Sequence, residues 1–272
     1  MPSSDWAARA PADTMQPGRP IDHRYHGPVP AETVAAPAKL TVSLRVTGVR
    51  PDGYHLIDAE MVTIDLADEL VFTEGDGLEV VGATGLAVPA DGDNLVHRAL
   101  RLLGRTAQVR LTKRVPAGAG LGGGSADAAA VLRWAGVDDP AVAARLGADV
   151  AFCLRGGRAR VTGIGELLEP LSVEDRTFTL VTPLFGCSTP AVYRAWDDLG
   201  GPTADGPNDL EPAALAVEPR LAEWRDRLGD ATGETPVLAG SGSTWFVAGA
   251  FPEAGRVVHT TGAVWCGPGV SR

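Results

Sequence analysis

Residues 115–130 read VPAGAGLGGGSADAAA, and the fold is decided by how this stretch is understood. A proline leads into a run almost free of side chains: Gly118, Gly120, Gly122, Gly123 and Gly124 fall within seven residues. Glycine admits positive φ and lets a ligand come close to bare backbone amides. At Ser125 the chain turns alanine-rich, with high helix propensity, and Ser125 fits the N-cap of the helix that follows. A helix start carries unpaired N–H groups and a partial positive charge, which suits an anion. The simplest reading is a phosphate cradle. Three versions compete: a connection with no ligand, a dinucleotide fingerprint, and a nucleotide-triphosphate loop. Gly118, Gly120 and Gly123 fit G-x-G-x-x-G. A dinucleotide fold, however, needs an acidic residue ending its second strand, whereas Asp149 precedes its apolar run VAFCL. No lysine follows the glycines, so a triphosphate loop here is not of the Walker kind.

Composition sets bounds on this site. The chain has 272 residues, enough for two modest domains or one large one. Its formal charge of −10 argues against a nucleic-acid partner and gives no long-range attraction for an anionic substrate. A phosphate site must therefore be built locally, from amides and a few cations. The three cysteines, Cys153, Cys187 and Cys266, are scattered and odd in number, which fits a reducing cytoplasm rather than a disulfide or zinc framework. No apolar run reaches membrane length and no signal design opens the chain, so a cytoplasmic protein without a membrane partner is expected.

Upstream of the loop, residues 1–33 are rich in proline and alanine without period and read as a disordered tail, His23 and His26 included. Leu40, Val42, Leu44 and Val46 then alternate with polar residues, predicting a half-buried strand with Lys39 at its start. That lysine is either a solvated edge charge or a group that orients a phosphate or hydroxyl. The run Arg50-Pro51-Asp52-Gly53-Tyr54-His55 is a turn signal. Its tyrosine and histidine either pack or stack on a flat ligand ring. Residues 61–66 and 70–72 read as a strand pair, and 78–81 as a short strand. Asp93-Asn94 opens a helix over 95–103, and Val109 and Leu111 mark a strand. Lys113-Arg114 place two cations just before the glycines, as surface charges or nucleotide contacts.

Downstream, a short helix near 141–146 leads to Gly147-Ala148-Asp149-Val150. Asp149 lies between a small-residue turn and an apolar strand, where an acid is a cap or a catalytic carboxylate. Strands are predicted at 159–162 and 178–181. Thr189-Pro190 supplies the N-cap and first residue of a helix through Trp196. Asn208-Asp209-Leu210 begins a helical region continuing through 221–228, and a second glycine loop follows at 237–244, between two apolar strands. Residues 257–264 carry no clear assignment. Strands and helices in mixed order predict an α+β architecture in two lobes.

Taken together these pieces resemble the GHMP kinase family. The resemblance runs from about residue 36 to about 247. It is carried by Pro37-Ala38-Lys39, the segments 50–55, 93–95 and 116–129, Leu146-Gly147-Ala148-Asp149-Val150, Ser188-Thr189-Pro190, Asn208-Asp209-Leu210-Glu211 and residues 239–244. It implies a two-lobed fold, with a ribosomal protein S5 domain 2-like lobe over 34–165 that binds ATP and a ferredoxin-like lobe over 166–272. It also implies a small-molecule kinase that uses ATP and Mg2+, the metal ligands unassigned, and that exists as a monomer or homodimer. The branch it most resembles phosphorylates the C2 hydroxyl of a cytidine-diphosphate-linked methylerythritol. By position Asp149 would be the general base and Lys39 its partner. ATP would be held by Asn94, Lys113, Pro116, Ala117, Gly118, Ala119, Gly120, Leu121, Gly122, Gly123, Gly124, Ser125 and Ala126. The acceptor would meet Thr41, Tyr54, His55, Thr189, Tyr193, Gly240, Ser241, Gly242 and Ser243. The family carries asparagine where this chain has Thr41. That departure leaves room for a related kinase acting on a different alcohol, and the shorter stretch between the glycine loop and Asp149 leaves room for a non-catalytic nucleotide-binding relative.

Overall fold

An 18-residue strand must find a partner of matching length, and this chain supplies one immediately. Strand β1 (Glu32–Val49) runs antiparallel to β2 (His55–Thr73). The turn between them is closed by Gly53, at φ 86°, whose N–H donates to the Arg50 carbonyl at 2.9 Å. The computed structural model describes residues 31–82, 88, 90 and 92–262. The expected tail up to residue 30, with His23 and His26, lies outside those residues, as does Cys266.

Three elements separate this hairpin from the glycine loop, and five more follow the loop before the second sheet. Strand β3 (Gly77–Val81), helix α1 (Leu95–Leu103) and strand β4 (Gln108–Thr112) precede the loop. Helices α2 (Gly123–Trp134), α3 (Pro140–Ala144) and α4 (Ala148–Arg155) come after, then β5 (Arg158–Gly163) and β6 (Leu167–Leu171). With β1 along one edge of β2, the other edge is shared. Residues 69–73 pair with β4 and residues 57–62 with β5. Strand β3 lies parallel to β4 and β6 antiparallel to β5, which completes a six-stranded sheet. The rest of the chain gives β7 (Thr177–Val181), α5 (Thr189–Asp198), α6 (Glu211–Val217), α7 (Leu221–Thr232), β8 (Val237–Leu238), β9 (Trp245–Ala248) and β10 (Arg256–His259). Its four strands form a second sheet in the order β10-β7-β9-β8.

Along its length the β1–β2 hairpin meets three partners in turn. At the open end Ala36, Leu70 and Phe72 join Val96, Val131 and Leu154 from α1, α2 and α4. In the middle Leu40, Val62 and Ile64 meet Phe178, Phe246 and Val258 of the second sheet. There the two phenyl rings sit edge to face, 5.6 Å apart. At the turn end Leu44, Ile57 and Ala59 meet Val192, Trp196 and Leu210. Each cluster is apolar surface removed from water, and full burial of one such large side chain is worth roughly 1.5–3 kcal/mol.

Several expectations are corrected here. The predicted strand pair at 61–72 is one strand, β2. Its central Ala-Asp-Glu imitates a turn, but Asp68 is buried and satisfied by Lys113 and by the backbone N–H groups of Arg114 and Val115. Strand β1 begins at Glu32, so Lys39 lies inside a strand with 5 % exposure rather than at its start. The run VAFCL is helix α4, because its residues are buried among helices on one side and the sheet on the other. A short, wholly apolar run has no period to tell the two apart. Helix α2 starts at Gly123, two residues before Ser125. Its N-cap is Gly122, in the left-handed region at φ 69°. The N-cap of α5 is Ser188, not Thr189, whose hydroxyl bonds Ser241 instead. The helical region after Asn208 breaks into α6 and α7 before Pro219, since a residue preceding proline is driven out of the helical region. Strand β6 was not anticipated; its LLEPL has little alternation and carries a proline, which an edge strand tolerates.

Candidate active site

The glycine loop leaves β4 at Lys113 and ends in α2. Gly118, Gly120 and Gly122 all hold positive φ, at 72°, 78° and 69°. Close approach also requires glycine at two of them. A Cβ on Gly120 would lie 2.7 Å from the Gly242 carbonyl oxygen, and one on Gly122 would lie 2.8 Å from Lys39 Cγ. The loop is fastened between strands by the Lys39 N–H donating to the Leu121 carbonyl at 3.0 Å and the Thr244 N–H donating to the Ala119 carbonyl at 3.1 Å. No side chain caps the start of α2, so its dipole is left for a ligand. Loop and helix start line a cavity of about 580 Å³.

Lys39 and Asp149 meet on this cavity, with Nζ 3.4 Å from Oδ2. The lysine is buried on β1 and also donates to Thr41 Oγ1 at 3.0 Å. The carboxylate, 32 % exposed, stands in the first turn of α4. Arg133 of α2 braces both carriers, its guanidinium donating to the Cys153 carbonyl of α4 at 2.9 Å and to the Ala35 carbonyl of β1 at 2.8 Å. Burial pulls this arginine down to about 10. Nearby groups feel the Asp149 charge. Burial first, and then that carboxylate, push the Cys153 thiol up to about 12 and raise the Tyr193 phenol.

The opposite wall is the second glycine loop. Asn208 holds it, donating from Nδ2 to the carbonyls of Leu238 at 2.8 Å and Gly240 at 2.7 Å. Gly240 and Ser241 line the cavity, and the hydroxyls of Ser241 and Thr189 are 2.8 Å apart. Tyr193 also lines it and packs at a tilt of 32° against His55, centroids 4.6 Å apart. His55 Nε2 bonds Asp197 Oδ1 at 2.9 Å.

Of the residues singled out in the sequence, Lys39, Thr41, Asn94, Lys113, Pro116, Ala117, Gly118, Ala119, Gly120, Leu121, Gly122, Gly123, Gly124, Ser125, Asp149, Thr189, Tyr193, Gly240 and Ser241 share this one cavity. Five lie elsewhere. Ala126 is buried in the core behind the loop. Tyr54, 59 % exposed, belongs to the hairpin turn, and His55 sits behind Tyr193. Gly242 and Ser243 are the far side of the second loop, where Ser243 donates to the Phe185 carbonyl at 2.7 Å. Asn94 caps α1 while lining the cavity, its Oδ1 accepting from Val96 N–H at 2.9 Å. The Lys113 ammonium is engaged by two buried carboxylates, Asp68 and, at 2.8 Å, Asp127 Oδ2. Burial acts to lower this lysine and the two acids outweigh it, so its pKa is raised. Burial pushes Asp127 up to about 7 against the pull of Lys113, and its Oδ1 has no hydrogen-bond partner. Asp68, Asp127 and Asp197 were missed. An acid inside the alanine run at 126–130 was the available signal for Asp127.

Comparison with known proteins accords with this geometry. The family description "GHMP kinases N terminal domain" matches residues 94–157. A 4-diphosphocytidyl-2-C-methyl-D-erythritol kinase of Paracoccus denitrificans is 40 % identical over 232 residues, covering 78 % of this chain and 85 % of that protein. A crystal structure of 4-(cytidine 5'-diphospho)-2C-methyl-D-erythritol kinase superposes with a TM-score of 0.69 at 34 % identity, over 85 % of this chain and 99 % of that one. The L. major mevalonate kinase shares the fold at a TM-score of 0.58 and 13 % identity, over 85 % and 96 % of the two chains.

Proposed function

The chain belongs to the GHMP kinase family, in the branch of the 4-diphosphocytidyl-2-C-methyl-D-erythritol kinases, and on that premise we propose that it phosphorylates the C2 hydroxyl of 4-diphosphocytidyl-2-C-methyl-D-erythritol with ATP. The observation that carries this reading is the pairing of Lys39 with Asp149, 3.4 Å apart, beside an uncapped glycine-lined helix start. Phosphoryl transfer requires alignment and charge stabilisation more than covalent chemistry. Asp149 accepts the proton as the acceptor oxygen bonds to phosphorus and the bond to the leaving ADP oxygen breaks. Lys39 holds that carboxylate in place and faces the charge gathering on the transferred group. The loop amides hold the triphosphate, with Asn94 toward the nucleoside and Lys113, engaged by Asp68 and Asp127, at the entrance to the loop. Tyr193, backed by His55, takes the cytosine, while Thr189, Gly240 and Ser241 face the diphosphate.

Mg2+ binds with nucleotide through only one or two protein oxygens. Among the described residues no group of three His, Cys, Asp or Glu side chains is placed to hold a metal, which suits a cation carried on the phosphates, with Ser125 as the nearest hydroxyl in the helix start. It would neutralise phosphate charge. No helix among the described residues is long and apolar enough to cross a membrane. We take the protein as cytoplasmic, a monomer or homodimer, without nucleic-acid partners, its lobes dividing at 34–165 and 166–272.

ADP release tests the substrate. With 4-diphosphocytidyl-2-C-methyl-D-erythritol, kcat/KM is expected to exceed that for mevalonate, homoserine and simple sugar alcohols by about 10⁴-fold, since a site built for polar groups rejects ligands lacking them. Because the Thr41 hydroxyl already serves Lys39, a different acceptor is the specific rival; preference for another alcohol would establish it. No ADP with any alcohol would leave a nucleotide-binding protein without catalysis.

A further inference from the structure

Asp68 and Asp127 have no part in the chemistry above, yet they are 0 % and 2 % exposed beside the nucleotide cavity. Carboxylates that deep are costly unless paired. Both converge on the Lys113 ammonium. Their positions in the chain explain what this joins. The β2–β4 ladder ends at the pair Glu69–Thr112. One residue further, Asp68 takes over from the ladder, its Oδ1 accepting from the backbone N–H groups of Arg114 and, at 2.8 Å, Val115 as the chain peels away into the glycine loop. Asp127 stands on the far side of that loop, in α2. The ammonium between them lies against the first residue of the helix, where a Cβ on Gly123 would be 3.2 Å from it.

We infer that Asp68, Lys113 and Asp127 form a clasp that fixes the span of the loop over residues 116–122, with the two aspartates as positioning residues for the ATP phosphates. This rests on the kinase reading. Charge attraction is the competing account of the trio, and it fails on sign: two carboxylates and one ammonium sum to −1, or to zero when Asp127 holds its proton, and neither attracts a triphosphate. Stability is a poor account as well. A buried ion pair is weak evidence for it, and Asp127 leaves one oxygen unpartnered between Ala126 and Ala128 on a buried stretch of helix. What the trio supplies is position: strand exit, loop and helix start are held on one point of β2.

The test is nucleotide binding and steady-state kinetics on the full chain. Asp127→Ala is expected to weaken MgATP binding about tenfold, the size of one lost charged hydrogen bond, and to raise KM for ATP alike. Affinity for adenosine, which does not reach the loop, should stay unchanged within error, as should kcat at saturating ATP and KM for the acceptor. Asp127→Asn, whose amide oxygen still accepts from Lys113, should recover most of the loss. Equal MgATP affinity in Asp127→Ala, or equal losses for ATP and adenosine, would overturn the clasp. Should Asp127→Ala fail to fold, Asp68→Asn gives the same comparison, because its amide oxygen still serves Arg114 and Val115; it must weaken ATP more than adenosine, or the inference is wrong. A wild-type protein that binds no MgATP would instead strike the kinase reading itself.

Discussion

Lys39 has three N–H donors, and the structure gives it two acceptors, Thr41 Oγ1 at 3.0 Å and Asp149 Oδ2 at 3.4 Å. The longer of these is loose for a charged hydrogen bond, which leaves room for a reacting group to draw the lysine toward itself. Lys39→Met keeps the length of the stem and removes the charge. It should lower turnover by at least about 10²-fold, the scale of losing one group aimed at developing charge; single-turnover measurement with saturating ATP reads it. Gly122 is tied to the same lysine. An alanine there combines positive φ with contacts of 2.8 Å to Lys39 Cγ and 3.2 Å to Cε. Gly122→Ala should therefore damage ATP affinity and turnover together, turnover by about 10²-fold, as a displacement of about 1 Å can. Retained turnover in that variant would separate the loop from the lysine.

At the scale of elements, the two glycine loops differ in how they are held. The first is bound by backbone and by the Lys113 cluster, the second by backbone, by the Ser241 and Ser243 hydroxyls and by Asn208, which donates twice and accepts once from Leu210 N–H at 3.0 Å. Asn208→Ala would orphan two buried carbonyls and should cost roughly 2–4 kcal/mol, at about 1–3 kcal/mol per group with partial relaxation, measurable by urea melts. A loss under half a kilocalorie, or about 0.5 kcal/mol, would mean the loop holds itself. The order of elements was legible because its signals are local: Asn94 before α1, the turn at 50–53, the alternation of β1. The glycine loop was legible as a phosphate site for the same reason. Errors arose where tertiary burial decides the local state. VAFCL became helix because α2 and α3 flank it, and β2 stayed whole because Asp68 found partners 45 and more residues away. Ser125 resembled a cap, but Gly122 reaches the left-handed conformation that the loop requires three residues earlier. Asp197 could not be found at all, since nothing near it in sequence announces His55.

At the scale of the molecule, the long hairpin carries Lys39 to the meeting of the two sheets, and the sheets are joined there by charge as well as by phenyl rings. Glu60 of β2 accepts from Arg158 of β5 at 2.9 Å and from Arg176, next to β7, at 2.8 Å. Burial acts to raise this carboxyl, and the two arginines outweigh it, so its pKa lies below the ordinary 4.5. A lowered acid favours the folded state once ionised. Its contribution is present above pH 4.5 and is lost as pH falls through the folded value. Glu60→Gln should thus be less stable than the parent near neutrality, with the two melting curves converging in acid; a gap that does not close with falling pH would contradict the assignment. The wider account depends on the cleft these parts create, where α4 presents one carboxylate to a lysine and a bare helix start. The most direct test is Asp149→Asn, with MgATP affinity and turnover measured on the same preparation. Binding should match the parent while turnover with 4-diphosphocytidyl-2-C-methyl-D-erythritol drops by about 10²–10⁴-fold or more; turnover close to the parent's would remove Asp149, and the proposed mechanism with it.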